Sequence, residues 1–377
     1  MGERSITMKR ISTAEARWIE DRKHWKINVQ KDGCRRSFYD STPGKRGKAM
    51  CEAKAADWLD SMSLTDPRFD TAWESFIAKK DGQISDCYLT DMKGFGTNWF
   101  IPAFGKKKLS YITEQMVQDV LDSMYKAGRS AKTIANARGA WVQFAKYCRK
   151  NRYELERFDD LEINKHAVKG EKLVLSPSQI ATVFNTDQTL FHRVWTRDHY
   201  IHAYRFAIIT GERRGEITGL KWEDITDKGV TIQRSINRLG QVTDGKNDNA
   251  RRTVPMTKML KKVLDDQKEY LKSAGIISPY VFPDEKCSEI NDPRPLFDSW
   301  KRFCKSHDLP AVTFHGLRHT MISLYKADLP EELLKQVVGH SASMDTFGVY
   351  GHAMDGDEER TVRIMDDVIS GILSRVV

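Results

Sequence analysis

The sequence predicts a multidomain protein that is mainly α-helical with small β-sheets. Its 377 residues suffice for two or three domains, at roughly 100–200 residues each. Apolar residues recur at helical spacing over much of the chain, and strand-like alternation is confined to short regions. Chain breaks at Pro67 and near Lys169 predict three domains, over residues 1–65, 66–169 and 170–377.

The first domain is expected to be a small strand-strand-helix unit. Residues 25–39, "WKINVQKDGCRRSFY", predict two short strands around a Lys-Asp-Gly turn. After the break "STPGKRG", a helix is expected over Lys48–Met62. Four residues would share its apolar face: Ala49, Ala53, Ala56 and Leu59.

The middle domain is expected to be helical. Its apolar spacing predicts four helices: Phe69–Lys80, Ser85–Trp99, Thr113–Ala127 and Ser130–Asn151. We interpret Trp141, Phe144 and Tyr147 as core residues rather than as platforms for base stacking. The stretch "HAVKGEKLVLSPSQI" then predicts a linker and a new helix, with Ser176 as its cap and Pro177 as its first residue.

The third domain is expected to be mainly helical with one sheet. Residues Val230–Met256 alternate β-branched residues with turn signals, which predicts a three-stranded meander. The tail Arg360–Val377 predicts a helix with one apolar stripe. The stripe consists of Met365, Val368, Ile369, Ile372, Leu373 and Val376.

Positive charge is concentrated before residue 170. Residues 1–65 hold 14 Lys/Arg against 9 Asp/Glu, and residues 66–169 hold 18 against 14, whereas the remaining 208 residues hold 29 of each. This distribution favours a polyanionic partner for the first two domains. We predict DNA contacts by Arg35, Arg36, Lys45, Arg46, Lys106, Lys107, Lys132 and Lys146. A solvated basic surface is the alternative.

The six cysteines are widely spread and include no C-x-x-C pair. They predict neither a zinc site nor a disulfide framework, and a reducing compartment is the simpler interpretation. The first ten residues lack the apolar core of a signal peptide, and the chain has no apolar run of about 18 residues. We therefore expect a soluble cytoplasmic protein that binds no membrane.

The segment "FHGLRHT", residues 314–320, can bring His315, Arg318 and His319 to one helix face. Position 316 is Gly where the metal-binding motif H-E-x-x-H has Glu, and an Arg on that face would repel a cation. An anion site and an ordinary helical turn with hydrogen-bonded histidines both stay open on this segment alone.

The segment "ITGERRGEITGLKWEDI", residues 209–225, supplies another arginine. Four residues can anchor it in a core: Ile208, Ile209, Ile217 and Leu220. That arrangement leaves Arg213 or Arg214 directed at a site, and Glu216 lies three residues after Arg213, within reach of its guanidinium. Such a pair is most often an exposed ion pair on the protein surface with little effect on stability or function. Two arginines from distant segments, however, suit a pentavalent phosphoryl group, because each planar fork can bind non-bridging oxygens.

The segment "VVGHSASMDTFGVYGH", residues 337–352, adds His340 and Tyr350 around a Ser/Gly-rich loop. Tyrosine can act as a covalent nucleophile, although most tyrosines only pack. Together the three segments resemble the tyrosine recombinase family, the phage-integrase type of site-specific recombinase. Its first arginine box appears as "TGERRGEI", its H-x-x-R box as "HGLRHT", its G-H box with the nucleophile as "GHSASMDTFGVY", and its hairpin-lysine motif as "KNDNARRTVP".

The resemblance covers residues 170–377 firmly and implies an α+β catalytic domain of tyrosine-recombinase type. Residues 66–169 resemble, more loosely, the helical core-binding (SAM-like) domain of integrases. Residues 1–65 resemble their small ββα-like arm-binding domain.

By position, the resemblance implies that Arg213 and Arg318 clamp the scissile phosphate, with Arg214 as a neighbour. Tyr350 would attack phosphorus, form 3′-phosphotyrosyl DNA and expel a 5′-hydroxyl. A tyrosine titrates at about 10, so attack at neutral pH needs a base or a strongly cationic site. The covalent intermediate conserves bond energy, and the chain has no P-loop motif, so no ATP, metal or other cofactor is expected.

The resemblance also assigns supporting roles. Lys246 would be the general acid for the leaving oxygen, His315 the acid-base partner of the tyrosine, and His340 a hydrogen-bond donor to the phosphate. Glu216 would orient the phosphate-binding groups. This chain departs from the family in two ways: Tyr350 follows His340 by ten residues where many relatives have nine, and the hairpin "DGKNDNA" is unusually polar and acidic.

The function implied is that of an integrase of a phage or integrative element, acting as a tetramer on double-stranded DNA attachment sites. In this family a terminal helix docks on a neighbouring protomer, so the stripe in Arg360–Val377 favours an oligomer; folding onto its own domain is the alternative. A host DNA-bending factor and an excisionase are candidate partners.

Other functions share this chemistry or this fold. A chromosome or plasmid dimer resolvase, or a transposon recombinase, would belong to the same family, but the simplest resolvases lack the additional first domain. A type IB topoisomerase shares the mechanism and acts as a monomer. A regulator without catalysis is disfavoured because all six core positions are filled.

Overall fold

The computed structural model describes residues 15–31, 34–61, 65–171, 173–243, 251–339 and 356–374. The chain divides into two units, Met1–Lys169 and Gly170–Val377, here called the amino-terminal unit and the carboxy-terminal unit. None of the helices in the described ranges is both long enough and apolar enough to cross a membrane.

The amino-terminal unit begins with a three-stranded antiparallel sheet. The strands pair in the order β1 (Arg17–Ile19), β2 (His24–Lys31) and β3 (Cys34–Asp40). Helix α1 (Gly44–Ser61) packs on β2 and β3. The two expected strands and the helix are confirmed, whereas β1 was not predicted.

The predicted buried face of α1 is wrong. Ala49, Ala53 and Ala56 are exposed, and the core instead contains Cys51 and Ala55. The helix begins at Gly44, ahead of the expected start, and a Cβ at Gly47 would collide with the carbonyl oxygen of Thr42 and lie 2.9 Å from the indole of Trp25. That close approach selects the face of Gly47, Cys51 and Ala55.

The rest of the amino-terminal unit is a helical bundle, as predicted. Its helices are α2 (Phe69–Lys80), α3 (Asp86–Phe95), α4 (Ile101–Phe104), α5 (Glu114–Lys126) and α6 (Ala131–Lys150). A π-helical turn, Gly96–Phe100, joins α3 to α4, and its first residue is glycine because any side chain there would collide with the indole of Trp73. Trp141 and Phe144 are fully buried, which confirms them as core residues, and Tyr147 packs at the edge on Phe76.

The carboxy-terminal unit is built around one buried helix. Helix α7 (Pro177–Asn185) starts with the predicted Ser176 cap, and a hairpin follows, β4 (Gln188–Phe191) with β5 (Val194–Arg197). All residues of α8 (Ile201–Thr210) are buried. The short helix α9 (Arg214–Gly219) comes next.

Small strands and further helices follow α9 in the sequence. The strands are β6 (Gly229–Ile232), β7 (Ser235–Ile236), β8 (Val242–Thr243) and β9 (Arg252–Pro255). The helices are α10 (Lys258–Ser273), α11 (Pro293–Ser306), α12 (Phe314–Tyr325), α13 (Glu331–Val338) and α14 (Asp357–Ser374). Among the described strands, β6 pairs with β9 and β7 with β8, so the expected three-stranded meander is wrong.

Helix α14 folds onto its own domain. Met365, Ile369 and Ile372 belong to the core of the carboxy-terminal unit. The carboxylate of Asp366 accepts the backbone N–H groups of Lys258 and Met259 at the start of α10, at 2.8 and 3.0 Å. In this single chain the described part of the stripe therefore packs on its own domain, as in the alternative considered with the oligomer.

Candidate active site

The chain leaves α8 through Gly211, which ends the helix in the left-handed conformation with φ +68°. Its N–H donates to the carbonyl of Ala207 at 2.9 Å. A Cβ at this position would lie 3.1 Å from the sulfur of Met321, so glycine suits both the turn and the packing. The turn leaves the carbonyl oxygen of Gly211 free to accept a hydrogen bond from α12.

The donor is Arg318, which is only 2% exposed. Its Nη1 donates to the carbonyl of Gly211 at 3.0 Å, and its Nη2 donates to the carbonyl of Val338 at 2.5 Å. Burial, helped by the nearby cations Arg213 and Arg252, lowers the pKa of Arg318 to about 10. The guanidinium of Arg318 stays charged at neutral pH, and together with Arg213 and Arg252 it makes the local electrostatic potential positive.

Arg213 lies at the start of α9, where Glu216 holds it on two sides. Its Nη1 donates to Glu216 Oε1 at 2.7 Å, and its backbone N–H donates to Oε2 at 2.9 Å. The expected contact between these residues is confirmed. The arginine side chain is 44% exposed, so an anion can reach it from solvent. Arg214 turns elsewhere, with its guanidinium over the ring of Phe297.

Glu212 and Arg252 complete the arrangement, and sequence reasoning missed both. Glu212 is fully buried, and Nη2 of Arg252 donates to it and, at 3.0 Å, to Glu216. The available signal was a carboxylate shortly after the buried apolar run that ends α8, because a buried charge requires a partner. Arg252 itself stood in the quoted hairpin-lysine motif but carried no predicted role.

The pKa values of the two carboxyl groups are shifted in opposite directions. Burial, together with the adjacent Glu216, raises the pKa of Glu212 well above its usual range. Burial also opposes ionisation of Glu216, but a hydrogen bond from Glu212 and the charge of Arg252 outweigh it and hold the pKa of Glu216 well below its usual range. Glu216 is therefore the carboxyl group that more readily carries negative charge beside the three arginines.

His315 occupies the exposed first turn of α12, next to the cap Thr313. Its ring meets that of His319 edge-on, with centroids 4.7 Å apart. A Cβ at Gly316 would lie 2.6 Å from a methyl of Val312 and 2.8 Å from the carbonyl oxygen of Leu173, so this helix cannot carry the Glu of the H-E-x-x-H motif without moving. Within the described ranges, no three His, Cys, Asp or Glu side chains are grouped to hold a metal ion.

Comparison with known proteins identifies this arrangement. Residues 174–356 match the phage integrase family. The matched residues lie within the carboxy-terminal unit, which therefore carries a domain similar to that family. Its members, the tyrosine recombinases, cleave and rejoin DNA strands.

Two relatives illustrate the match. A tyrosine recombinase XerC-like protein of Caldanaerobacter subterraneus subsp. tengcongensis is 26% identical over 294 residues, which cover 69% of this chain and 72% of that protein. The ICEBs1 integrase of Bacillus subtilis is 30% identical over 181 residues, which cover 44% of this chain and 48% of that integrase.

Solved integrase structures share the fold. The Tn1549 transposon integrase in complex with transposon right end DNA matches with a TM-score of 0.61 at 16% identity, over 79% of this chain and 99% of that chain. A lambda integrase tetramer bound to a Holliday junction matches with a TM-score of 0.56 at 14% identity, over 90% of this chain and 99% of that chain. The expected fold class, mainly α with small sheets and a catalytic domain of tyrosine-recombinase type, is confirmed.

Three predicted residues of the integrase site lie outside the described residues: Lys246, His340 and Tyr350. Their roles stay predictions. The described chain stops at Thr243 before the first of them and at Gly339 before the other two. Of the predicted set, Arg213, Glu216 and Arg318 come together around Gly211, and His315 lies one turn before Arg318 on α12.

The predicted DNA-contact residues are all exposed, and none forms an ion pair with a described acidic residue. They do not all share one surface of their elements. Arg35 and Arg36 are consecutive on β3 and point to opposite faces of the sheet. Lys132 and Lys146 are separated on α6 by nearly four turns and so share one side of that helix. The remaining members are Lys45, Arg46, Lys106 and Lys107.

Proposed function

We propose that this protein is a site-specific DNA recombinase, the integrase of a phage or integrative element. It cuts and rejoins DNA strands through a 3′-phosphotyrosyl intermediate formed by Tyr350. The observation that carries this proposal is the buried Arg318, bound to the carbonyls of Gly211 and Val338 and close enough to Arg213 to lower its own pKa.

The charges of this cluster suit a phosphodiester. Arg213, Arg252 and Arg318 bring three positive charges, and the negative charge beside them falls mainly on Glu216, whose pKa is held well below its usual range. A phosphodiester gains negative charge on its non-bridging oxygens as it becomes pentavalent, and preorganised cations stabilise that charge. Fixed guanidiniums also need no rearrangement at the moment of attack. The cluster therefore favours phosphoryl transfer.

The proposed reaction balances without any cofactor. The phenolic oxygen of Tyr350 attacks phosphorus and gives up its proton to His315, while the bond from phosphorus to the 5′ oxygen breaks. Lys246 supplies a proton to that leaving oxygen. His340 donates a hydrogen bond to the phosphate, and Glu216 orients Arg213. Attack by a 5′-hydroxyl of the partner duplex reverses the steps and rejoins the strand.

The remaining domains supply DNA binding in this proposal. Residues 1–65 act as an arm-binding domain, residues 66–169 as a core-binding domain and residues 170–377 as the catalytic domain. Exposed basic residues of the first two bind phosphates, which position the protein but do not specify sequence. Recombination joins two duplexes, so four protomers are needed to cut four strands, on double-stranded attachment sites in the bacterial cytoplasm.

Two relatives support the assignment to a mobile element, because the ICEBs1 and Tn1549 proteins are themselves integrases. A dimer resolvase of the same family is not favoured by these matches. A host DNA-bending factor and an excisionase remain proposed partners, as in the resemblance described above.

The direct test uses a nicked DNA that traps the covalent intermediate, taken from the sequence flanking the gene, where the attachment site of an element commonly lies. Wild-type protein should give a protein–DNA adduct on a denaturing gel, and Tyr350→Phe should give none while binding the DNA equally well. An adduct with Tyr350→Phe would exclude this nucleophile. Tight wild-type binding without an adduct would identify a DNA-binding regulator instead.

A further inference from the structure

The guanidinium of Arg252, on strand β9, binds both the end of α13 and the segment that follows α8. It stands on β9, and its side chain is 7% exposed. Its Nε donates to the carbonyl of Val337 on α13 at 3.1 Å. Its Nη2 donates to Glu212 and, at 3.0 Å, to Glu216, both in the segment after α8. One side chain therefore ties the arginine box to the end of α13.

The end of α13 is held at two consecutive carbonyl oxygens. Arg252 binds that of Val337, and Arg318 binds that of Val338. Gly339 follows with φ +65°, and a Cβ there would lie 2.9 Å from the side chain of Arg252. Only glycine fits both the conformation and the contact. The predicted His340 and Tyr350 come next in the sequence, so the point from which their segment starts depends on where Arg252 lies.

Glu212 is the residue that holds Arg252 from the opposite side. It is 0% exposed, and its contact with Arg252 spans 40 residues of sequence. Burying a carboxyl group this completely costs free energy of folding unless the group is paired and hydrogen-bonded. Without Glu212, the guanidinium would keep Glu216 as its acidic contact here, and Glu216 also has to hold Arg213.

We propose that Glu212 is a positioning residue for strand cleavage. With Glu216 it holds Arg252 in the place that fixes the end of α13, and through Arg252 it sets the start of the segment that carries the nucleophile. Glu212 contacts neither DNA nor the reacting atoms in this role. The inference rests on the proposed function, because the position of this segment affects a reaction rate only if Tyr350 attacks the phosphate.

A glutamine substitution at Glu212 makes the inference easy to test. Oε1 of Glu212 receives no hydrogen bond from the described residues. A glutamine has the same shape, and its amide can donate to Glu216 while its carbonyl oxygen accepts from Arg252. Glu212→Gln therefore preserves the array, whereas Glu212→Ala removes it.

The experiment compares Glu212→Ala and Glu212→Gln with wild type by two measurements on the full-length protein. Amide hydrogen exchange at Val337, Val338 and Gly339 reports the end of α13, where the N–H of Gly339 donates to Lys335. The rate of adduct formation on nicked DNA reports positioning. Leu264→Ala, a buried truncation on α10 outside this hydrogen-bond network, controls for general loss of stability.

We expect Glu212→Ala to speed exchange at these three amides and to slow adduct formation by about 10–100-fold, since small displacements of a nucleophile have large effects on rate. DNA affinity should change by less than about twofold, and Glu212→Gln should restore both properties. Adding Arg252→Ala to Glu212→Ala should slow the reaction no more than Arg252→Ala alone, because both act through the same guanidinium.

Three outcomes would overturn the inference: unchanged exchange at the end of α13 in Glu212→Ala, a Glu212→Gln variant as slow as Glu212→Ala, or the same local exchange in Leu264→Ala. Failure of the proposed function looks different, because wild-type protein would then form no adduct at all. The exchange measurement still decides in that case whether Glu212 fixes the end of α13.

Discussion

Nη1 of Arg318 lies 3.0 Å from the carbonyl oxygen of Gly211, a residue 107 positions earlier in the sequence. The bond joins the H-x-x-R box on α12 to the turn that presents Arg213. Because Nη2 of the same guanidinium binds Val338, three separate segments meet on one buried cation. The position of one motif therefore depends directly on the others.

Replacing Arg318 with Lys should stop catalysis without removing the charge. A lysine has one nitrogen on a flexible stem and cannot reproduce the planar fork that reaches Gly211 and Val338 together. We expect adduct formation on nicked DNA to fall by at least about 100-fold, as on loss of a preorganised donor. Retention of wild-type rates by Arg318→Lys would show that charge alone is required.

The two adjacent arginines should differ sharply in their effect. Arg213→Ala removes the guanidinium held by Glu216, and adduct formation should fall by about 10²–10³-fold. Arg214→Ala is the matched control, since its guanidinium lies 5.3 Å from the Phe297 ring centre and outside the cluster. It should change the rate by no more than about threefold. Equal losses in the two variants would contradict the assignment.

Replacing Gly316 with alanine should destabilise the protein, because the packing leaves no room for a methyl group. Gly316→Ala places a Cβ 2.6 Å from Val312 and 2.8 Å from the carbonyl oxygen of Leu173, and such overpacking costs about 1–3 kcal/mol of unfolding free energy. Gly371→Ala on α14 in the same unit is the control, because nothing lies within 4 Å of its Cβ. That variant should be stabilised by up to about 1 kcal/mol. Thermal or urea unfolding of the two variants makes the comparison.

His202 on α8 should make the protein less stable in acid. It is 2% exposed, and neither ring nitrogen has a hydrogen-bond partner among the described residues. Burial, aided by Arg205, lowers its pKa to about 4, although Asp187 and Asp266 act in the opposite direction. An unfolded histidine titrates at about 6.5. Between these values the unfolded chain binds a proton that the folded chain does not, so stability falls as pH falls through this window.

The size of this effect is about 2–3 kcal/mol between roughly pH 6.5 and pH 4, with none above that range. His202→Phe fills the same buried space without a titrating group, so it isolates the contribution of this histidine from that of the other acids and bases. The free energy of unfolding of wild type should decline more steeply with acid than that of His202→Phe. Parallel pH profiles for the two proteins would show that His202 is not the cause.

Local signals explain most of what the sequence predicts correctly. The caps at Ser176 and the contact from Arg213 to Glu216 depend on residues within one turn of each other. The hairpin of β4 and β5 was missed because its turn lacks the glycine or asparagine that usually marks such turns. Its turn residues, His192 and Arg193, instead adopt positive φ values of 47° and 67°. The partnership of Glu212 with Arg252 depends on tertiary packing, which no local pattern reveals.

Lys132 and Lys146 should each contribute to DNA affinity through a phosphate contact. Both are exposed on one side of α6. If each neutralises one phosphate, each change to Ala should weaken binding to all DNA sequences alike and reduce the slope of log affinity against log salt by about 0.9. Fluorescence anisotropy with a labelled duplex between about 50 and 200 mM salt measures that slope.

Lys262→Ala is the matched control for charge, because that lysine is already paired with Asp266 at 2.8 Å on α10. It should leave the slope unchanged, so that a smaller slope in the two α6 variants reflects contacts and not net charge. Should all three variants reduce the slope equally, the affinity would follow the overall charge of the chain, and the assignment of these lysines as phosphate contacts would be wrong. A slope reduced only by Lys132→Ala and Lys146→Ala would place the DNA backbone along this side of α6.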